Sequence, residues 1–561
     1  MPILPCYTVK HNMPINLFQK GLNLLLKRQT NILSAAFIIM ATVIFSQLLG
    51  LIRQRLLVAI FGASNNLGVY LASTRLPDFL FQIIIAGALS SAFIPVFSDY
   101  LNKNKDAEGY NFASTLLSLG LMVFAVISII LAIFAEFFSH LVAPGFSPHE
   151  IALMANLLRV VLIGELFFII GSFLSAVLQS YNHFFIPGIA AALYNLGIII
   201  GIVTLWPFVG IYAPAWGVVI GAFIFVAMQL PQAKKVGFSF KPTLLFKQKG
   251  ILEVFHLMWP RTISLAIFQV GTLITVTLVS FLADPGRMYV IFDYAQTLAF
   301  APVVLFGQAI AQAAFPVLSR EREKPTEFKQ TFLTSFSQMM YLVMPVAVLL
   351  LVLRIPVVRL IYGAGLFDWD ATVLTGRTLA IFSLSIFAQA LVYLVSRGFY
   401  ALYDTKTPLI IGGITTVIMI GLGAVSVFFF KGNVMTIALA YSIASILNFI
   451  LLFILLDRKV GGFEKKHFLV AMGKITIATI FTGFALYIPI KLLDRLVFDT
   501  TKTINLIMLT GISSFAGCSL YLFLTWLFNV KEAWTFLLMF KKMGNWREIL
   551  GKAEETIPQP H

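Results

Sequence analysis

The sequence is poor in charged residues and nearly free of cysteine. Asp, Glu, Lys and Arg make up 11% of its 561 residues, whereas about a quarter of a soluble domain is charged. A chain of this length with so little polar surface is not a soluble enzyme. Its two cysteines, Cys6 and Cys518, lie at opposite ends, which excludes a disulfide framework and a cysteine metal cluster.

Common sequence signatures of catalysis are missing as well. There is no GxxxxGK[ST] phosphate loop, no HExxH pair, no serine elbow and no pair of carboxylates in a loop. The loops are also too short to hold a separate domain. We therefore predict a protein that is not an enzyme and needs no cofactor or metal. Any transport would have to draw on a gradient.

Long apolar runs dominate what remains. Hydrophobic residues make up 59% of the chain, and the mean hydropathy is +0.92. About 20 apolar residues in a helix cross the ~30 Å of hydrocarbon in a bilayer. The sequence thus predicts an all-α polytopic membrane protein with about fourteen transmembrane helices. Their predicted bounds are Ser34–Phe61, Leu67–Val96, Phe112–Val142, Ile151–Leu178, Phe184–Leu205, Ile211–Leu230, Thr262–Ala283, Met288–Leu318, Phe332–Leu353, Ala371–Leu402, Leu409–Phe430, Val434–Leu456, Phe468–Ile490 and Ile504–Phe528.

The net charge of +16 has a topological explanation. Most of the 40 lysines and arginines lie in the two termini and in every second loop. Such loops face the cytoplasm by the positive-inside rule. We therefore expect both termini to be cytoplasmic, in a multi-pass protein of the cytoplasmic membrane. The basic charge then needs no nucleic-acid partner.

An internal repeat divides the chain into two halves. The segment Ala92–Ser98 closes the second predicted span, and the similar segment Ala313–Ser319 closes the eighth, 221 positions later. By the same offset, Pro187 at the start of span 5 matches Pro408 at the start of span 11. Six spans separate the copies, so both run in the same direction, as in transporters with two parallel six-helix lobes.

This repeat predicts the domain organisation. Two six-helix lobes are followed by two C-terminal helices, with basic segments at the cytoplasmic side. The predicted parts are a basic N-terminal segment (1–33), an N-lobe (34–230), a basic cytoplasmic linker (231–261), a C-lobe (262–456), spans 13 and 14 (457–528) and a cytoplasmic tail (529–561).

Several segments resemble one family of membrane proteins. Ser396–Pro408 resembles the FYAxxDTKTP stretch of the MurJ (MviN) lipid II flippases, which belong to the multidrug/oligosaccharidyl-lipid/polysaccharide exporter superfamily. Phe45–Arg53 resembles that family's FSRxLGFxRD segment. Ile60–Ala63, Arg75–Asp78 and Gly87–Pro95 resemble its IFGAG, KLPN and EGAFSQAFVP runs, in the same order. The likeness covers nearly the whole chain.

The resemblance implies a flippase of the inner membrane that moves lipid-linked peptidoglycan precursor, lipid II, to the outer leaflet by alternating access. Its partners would be a polyprenyl-pyrophosphate-linked saccharide and membrane lipids, and the protein would be a monomer. Two other functions stay open: a related exporter of another polyprenyl-linked glycan or a cation-coupled drug antiporter, and a membrane scaffold without transport.

Two arginines inside predicted spans are candidate pyrophosphate ligands. Charges are costly at this depth, so they should face a cavity or a partner, and the guanidinium group binds phosphate oxygens in a bidentate manner. Arg53 lies near the outer end of span 1, and Arg75 lies inside span 2, followed by Asp78. We predict substrate binding by all three. The structural alternatives are extension of Arg53 to the outer head groups and an ion pair between Arg75 and Asp78.

Two further polar residues within spans have open roles. Gln296 in span 8 is a candidate substrate contact, although glutamine also hydrogen-bonds neighbouring membrane helices. Glu165 lies deep in span 4. It is a candidate site for ion or proton coupling, or else a buried acid paired with an arginine.

The segment from Asp404 to Pro408 is predicted to be a cytoplasmic turn. Asp404 would accept hydrogen bonds from backbone amides, and Pro408 would begin span 11. Together with Lys406, these residues are predicted to have a structural or gating role and not to contact the substrate.

Overall fold

A computed structural model describes residues 32–86, 92–103, 105–243, 250–463, 465–496, 499 and 502–534. Throughout these ranges the regular structure is helical, without a strand. Most of the predicted N-terminal segment 1–33, the C-terminal tail from residue 535 and part of the linker lie outside the described residues. The chain divides into two compact units, Met1–Phe61 with Val69–Leu273, and Gly62–Gly68 with Ile274–His561.

Unit 1 contains the first eight helices, except the first turn of the second (Asn65–Gly68), and most of the ninth. They are α1 (Ile32–Phe61), α2 (Asn65–Phe81), α3 (Ile94–Asn102), α4 (Asp106–Ile133), α5 (Ala135–Val142), α6 (Pro148–Ser180), α7 (Phe185–Val209), α8 (Tyr212–Lys235) and α9 (Ile251–Ser280). A π-helical segment, Gln82–Ala86, continues α2. In this unit α6 packs against α3, α4, α5, α7 and α8, and α1 packs against α7.

Unit 2 contains the remaining helices. They are α10 (Pro285–Pro302), α11 (Ala309–Arg320), α12 (Pro325–Val352), α13 (Arg354–Tyr362), α14 (Trp369–Ser383), α15 (Ile386–Ala401), α16 (Lys406–Phe428), α17 (Val434–Lys459), α18 (Lys465–Leu496) and α19 (Thr503–Leu527). A π-helical segment, Val303–Gln308, joins α10 to α11. At the centre, α15 contacts α11, α12 and α17.

The described helices confirm an all-α polytopic membrane fold. Eleven helical stretches are long and apolar enough to cross a bilayer, with α10, the π-helical segment and α11 counted as one (Pro285–Arg320), and the pair α14 and α15, bent by 43°, passes the same test when taken together. The two other predicted spans, the second and the seventh, include residues or side chains that the structure leaves undescribed. The count of fourteen therefore stays a prediction.

Helix starts follow from local capping chemistry. Ser147 begins α6 with a capping box, in which its hydroxyl accepts from the Glu150 backbone and the Glu150 carboxylate accepts from the Ser147 backbone N–H at 2.8 Å. Asp368 caps α14 by accepting from the Ala371 N–H at 2.7 Å. These bonds satisfy amide groups that the first helical turn leaves without partners.

Backbone irregularities support the internal duplication. The π-helical segments begin at Gln82 and at Val303, which are 221 positions apart. The same offset relates two pairs of left-handed turn residues: Asn182 (φ 59°) with Tyr403 (φ 58°), and Gly210 (φ 56°) with Lys431 (φ 47°). Hydropathy does not determine such features, so their recurrence is independent of the sequence match.

The segment after α8 is attached to unit 1. The Tyr110 hydroxyl donates to the Val236 carbonyl at 2.8 Å, Phe238 is buried against the Tyr110 ring, and the hydroxyl groups of Thr115 and Thr243 are 3.2 Å apart. The first part of the predicted linker therefore packs along α4. The boundary between the two units falls later, within α9.

Candidate functional site

Aromatic contacts fix the alignment of the second and fourth spans. The rings of Phe81 and Phe168 are 5.1 Å apart, and those of Phe93 and Phe173 are 4.6 Å apart. Residue numbers rise together along both segments, so the α2–α3 segment and α6 run in the same direction. Phe81 and Phe168 therefore mark one height in unit 1.

Two carboxyl groups lie one turn away from this aromatic contact. Asp78 precedes Phe81 by three residues, and Glu165 precedes Phe168 by three, so parallel helices place both at the same height. The Glu165 side chain is only 5% exposed, and its Oε2 atom has no hydrogen-bond partner. Among the described residues, the charge that acts on it is that of Asp78.

An arginine and two tyrosines complete this group. The charges of Arg53 and Asp78 both act on the Tyr70 hydroxyl, and those of Glu165, Arg53 and Asp78 act on the Tyr194 hydroxyl. The Tyr194 ring also lies 4.9 Å from Phe168. We call Arg53, Tyr70, Asp78, Glu165 and Tyr194 the unit-1 polar cluster.

Polar contacts join α1 to α7 on the Ser46 side of Arg53. Two turns before Arg53, the Ser46 hydroxyl donates to the Ala191 carbonyl at 3.4 Å and accepts from the Asn195 side-chain amide at 3.2 Å. This places that part of α1 beside the α7 turn that contains Tyr194. Four helices thus contribute to one polar group within a membrane-spanning unit.

The cluster can bind an anion, because Arg53 and the tyrosine hydroxyl groups are hydrogen-bond donors. It contains one cation and one or two anions, according to the protonation of Glu165. Among the described residues, no group of three His, Cys, Asp or Glu side chains is arranged to hold a metal ion.

Three of the predicted site residues come together in the cluster, Arg75 lies next to one of them along α2, and Gln296 lies in unit 2. Arg53, Asp78 and Glu165 share the cluster. Arg75 lies one turn before Asp78 on α2 and is half-buried. Gln296 lies in unit 2, where its side chain hydrogen-bonds the Tyr441 hydroxyl of α17, in agreement with the interhelical alternative.

The sequence interpretation missed Tyr70 and Tyr194. The sequence contains 17 tyrosines, and tyrosine is common in membrane proteins at the lipid interface. Tyr70 has a weak signal because it precedes Arg75 and Asp78 in one span. Tyr194 has none, since only its contact with Phe168 reveals its place.

The Asp404 turn is closed by hydrogen bonds to the Asp404 carboxylate. Asp404 accepts from the Thr407 N–H at 2.9 Å and from the Thr407 hydroxyl at 2.8 Å, and Lys459 of α17 donates to it at 2.5 Å. Pro408 is buried in the first turn of α16, whereas Lys406 is exposed. The contacts tie this turn to α17; the gating role stays a prediction.

Asp404→Asn is expected to lower the stability of the turn at neutral pH. Partial burial alone would raise the pKa of Asp404, but the bonds from Lys459 and Thr407 outweigh it and lower the pKa from 3.8 to about 2. A lowered pKa stabilises the fold above about pH 4, and this contribution is lost as the pH falls through about 2. Because Lys459 is partly exposed, we expect about 1 kcal/mol.

Thermal unfolding of the purified protein between about pH 7 and pH 2 would test this. The difference between wild type and Asp404→Asn should shrink toward the acidic end. Asp370→Asn is the matched control, because Asp370 is an exposed aspartate at a helix start. An equal loss in both variants, or a difference that is independent of pH, would contradict the role of the Asp404 carboxylate.

Comparisons with known proteins are consistent with this architecture. A family model described as "Lipid II flippase MurJ" matches residues 57–506. A "Probable lipid II flippase MurJ" of Buchnera aphidicola subsp. Acyrthosiphon pisum is 28% identical over 505 residues, covering 88% of this chain and 97% of that protein. A protein of the same description from Thermotoga maritima is 28% identical over 437 residues, covering 78% of this chain and 87% of its own length.

Solved structures show the same fold. The structure "Lipid II flippase MurJ, inward closed conformation" matches with a TM-score of 0.71 and 24% identity, covering 86% of this chain and 98% of that chain. An inward-facing multidrug resistance MATE family transporter of the MOP superfamily matches with a TM-score of 0.65 and 13% identity. The match covers 75% of this chain and 96% of that chain.

Proposed function

Because the chain belongs to the family described as lipid II flippase MurJ, we propose that it is a flippase that moves lipid-linked peptidoglycan precursor from the inner to the outer leaflet of the cytoplasmic membrane. The observation that best supports this is an arginine held with other polar side chains inside a membrane-spanning unit. The family match by itself does not identify which residues bind the substrate.

The physical task is to carry a charged head group through hydrocarbon. The polyprenyl tail of lipid II is soluble in the bilayer, whereas its pyrophosphate and sugars have to leave water. A cationic, hydrated path that opens alternately to each side lowers this barrier. The proposed transport makes no covalent change, so the protein acts as a transporter and not as an enzyme.

We assign the pyrophosphate contact to Arg53, with Arg75 as a second cation on the same path. Arg53 acts on the tyrosines of the unit-1 polar cluster, which supports a side chain directed at polar groups and not at lipid head groups. Asp78 would orient the arginines. Gln296 hydrogen-bonds Tyr441. Its side-chain amide has further donors and acceptors that can hydrogen-bond a sugar hydroxyl.

The remaining assignments follow from topology and family. We propose an inner-membrane protein with both termini in the cytoplasm, since the basic loops favour that side. The protein would act as a monomer whose partners are the lipid-linked saccharide and the surrounding membrane lipids. The two predicted lobes would be the moving parts of alternating access.

Arg53→Ala is expected to reduce lipid II transport by about ten- to a hundredfold, the effect of removing a charge-assisted hydrogen bond of about 1.5–3 kcal/mol. The measurement is lipid II translocation in vesicles containing the purified protein, together with growth of cells that depend on this gene. Arg55→Ala is the control, since Arg55 is two residues further along the same helix and therefore projects from a different side of it.

Normal precursor export by Arg53→Ala at a normal protein level would contradict the assignment of this arginine. A competition assay addresses the substrate. Purified protein should prefer lipid II to other polyprenyl-pyrophosphate sugars and to cationic drugs. Preference for a cationic drug would overturn the proposed function itself.

A further inference from the structure

The Glu165 carboxyl is a titratable group inside a membrane-spanning helix that the transport proposal leaves without a role. It is almost fully buried, and its Oε2 atom lacks a hydrogen-bond partner. An ionised carboxylate in such a place would lack the hydrogen bonds and the cation that normally offset its desolvation. The neutral acid is the form that this environment tolerates.

Among the described residues, Glu165 has no ion-pair partner, and a like charge acts on it. Asp78, at the same height on α2, acts on the carboxyl, and Tyr194 of α7 is also in reach. The helix α8 has no ionisable side chain between Ala213 and Ala233, and α4 has none between Phe112 and Ile133.

The helices α3 and α5 also pack against α6, but their ionisable groups lie at a different height in the membrane from Glu165. On α3 these groups are Asp99 and Tyr100, beyond the level of Phe93 and Phe173. On α5 they are Glu136 and His140, beside the first turns of α6. At the level of Glu165, α8 contributes Val218 next to Gly164 and Phe225 next to Phe168.

This arrangement couples the proton on Glu165 to the charge of the anion site. The charges of Arg53 and Asp78 offset each other, and Arg75, one turn before Asp78 on α2, adds a positive charge nearby. Ionisation of Glu165 would add one negative charge to these groups, and in a medium of low dielectric constant that charge acts strongly on a nearby pyrophosphate.

We propose that Glu165 holds a proton while the pyrophosphate of the substrate is bound, and that loss of this proton drives the head group out of the unit-1 polar cluster. This inference rests on the proposed function, because it assumes that an anionic head group reaches Arg53. In this step the O–H bond of the Glu165 carboxyl breaks and the proton forms an O–H bond with a water molecule. No other bond is made or broken.

The linkage gives a definite direction of pH dependence. Rising pH removes the proton, adds a negative charge beside the anion and weakens binding. Binding of the anion should therefore take up protons where Glu165 is partly ionised. The probe is lipid II itself, since a pyrophosphate esterified at both ends keeps a constant charge over the range tested.

The test measures lipid II binding to the full-length protein in nanodiscs between about pH 6 and pH 9. Wild-type affinity should fall by about tenfold or more. The isosteric, permanently neutral Glu165→Gln should bind as the wild type does at about pH 6 and change less than about twofold. Glu136→Gln, which changes an exposed glutamate on α5, should keep the wild-type profile.

A second readout needs no variant. Addition of lipid II to the wild type in weak buffer should raise the pH through proton uptake. A flat wild-type profile without proton uptake, or a Glu165→Gln protein that keeps the wild-type slope, would overturn the role of Glu165 while lipid II binding still supports the proposed function. Absence of lipid II binding at every pH would overturn both.

Discussion

Gly201→Ala is expected to destabilise the protein by about 3 kcal/mol or more, which is at the high end for adding one methyl group. A Cβ atom at Gly201 would lie 2.3 Å from the Cα of Gly217 and 2.9 Å from its nitrogen. Both obstacles are backbone atoms, which no change of rotamer moves. The helices α7 and α8 would have to separate.

The sequence repeats this close approach one turn away. A Cβ atom at Gly197 would lie 2.4 Å from the Cα of Gly221. Each helix thus carries two glycines four residues apart, the small-xxx-small pattern that lets membrane helices meet backbone to backbone. Separation of the pair would forfeit dispersion contacts along the whole crossing, and lipid offers no hydrophobic driving force to restore them.

Thermal unfolding of the purified protein measures the effect. Gly421→Ala is the matched control because Gly421 lies within the spanning helix α16, and a Cβ atom there would meet nothing within 4 Å. Its better helix propensity should raise stability by up to about 1 kcal/mol. The two substitutions are chemically identical and should differ in sign. Equal shifts in melting temperature would refute the close packing of α7 and α8.

Hydropathy predicted the spans well because it reports directly what a bilayer requires. The fifth span, predicted at Phe184–Leu205, is observed as α7 at Phe185–Val209, and the sixth, predicted at Ile211–Leu230, as α8 at Tyr212–Lys235. The observed helix ends differ from the predicted ones where capping and charged residues determine the boundary. Lysines extend α8 into the basic region, because long cationic side chains near a helix end reach the interface.

Breaks within an apolar run could not be predicted in the same way. The tenth span, predicted as one helix, bends by 43° between α14 and α15, and the third ends at Ile133 with a separate helix, α5, after Phe134. The residues at both breaks are apolar or small, so hydropathy is continuous across them. The bends depend on packing, which the sequence does not display locally.

In the candidate site, too, the sequence predicted the residues but not how the helices pack them together. Arg53, Asp78 and Glu165 stand out in sequence because ionisable residues are expensive within a span. Their proximity was not predictable, since it requires the parallel alignment of the second and fourth spans that the Phe81–Phe168 contact provides. Gln296 was an ambiguous candidate for the same reason: only the position of α17 decides its partner.

The start of α10 depends on a hydrogen bond from another helix. Its N-cap residue, Asp284, has a left-handed backbone and makes no side-chain cap. The Asn65 side chain, from the first turn of α2, accepts from the Arg287 N–H at 2.9 Å instead. Asn65 therefore does for α10 what an N-cap residue normally does for its own helix.

Arg287 extends this contact to a third helix start. Its guanidinium group forms two parallel bonds of 2.9 Å with the carboxylate of Asp368, the residue that caps α14. These bonds lower the pKa of Asp368 against the opposing effect of its partial burial. Planar bidentate pairing gives this contact a defined geometry. The first turns of α2, α10 and α14 are thus held in one arrangement.

Gly286→Ala is expected to break this arrangement at its tightest point. A Cβ atom at Gly286 would lie 2.3 Å from the Asn65 carbonyl oxygen and 2.6 Å from its Cα. The first turn of α2 would have to move away, and the Arg287 N–H would lose its acceptor. We expect a loss of about 2–4 kcal/mol, the sum of an overpacked contact and a lost cap.

Thermal unfolding gives the size of the loss, and amide hydrogen exchange gives its location. Exchange should accelerate at Arg287 and in the first turn of α2, because these amides lose their shared contact, while the far end of α10 stays protected. Gly413→Ala is the control, since a Cβ atom at Gly413 meets nothing within 4 Å. If Gly286→Ala has the same melting temperature as the control and the exchange rate at Arg287 is unchanged, Asn65 does not support the start of α10.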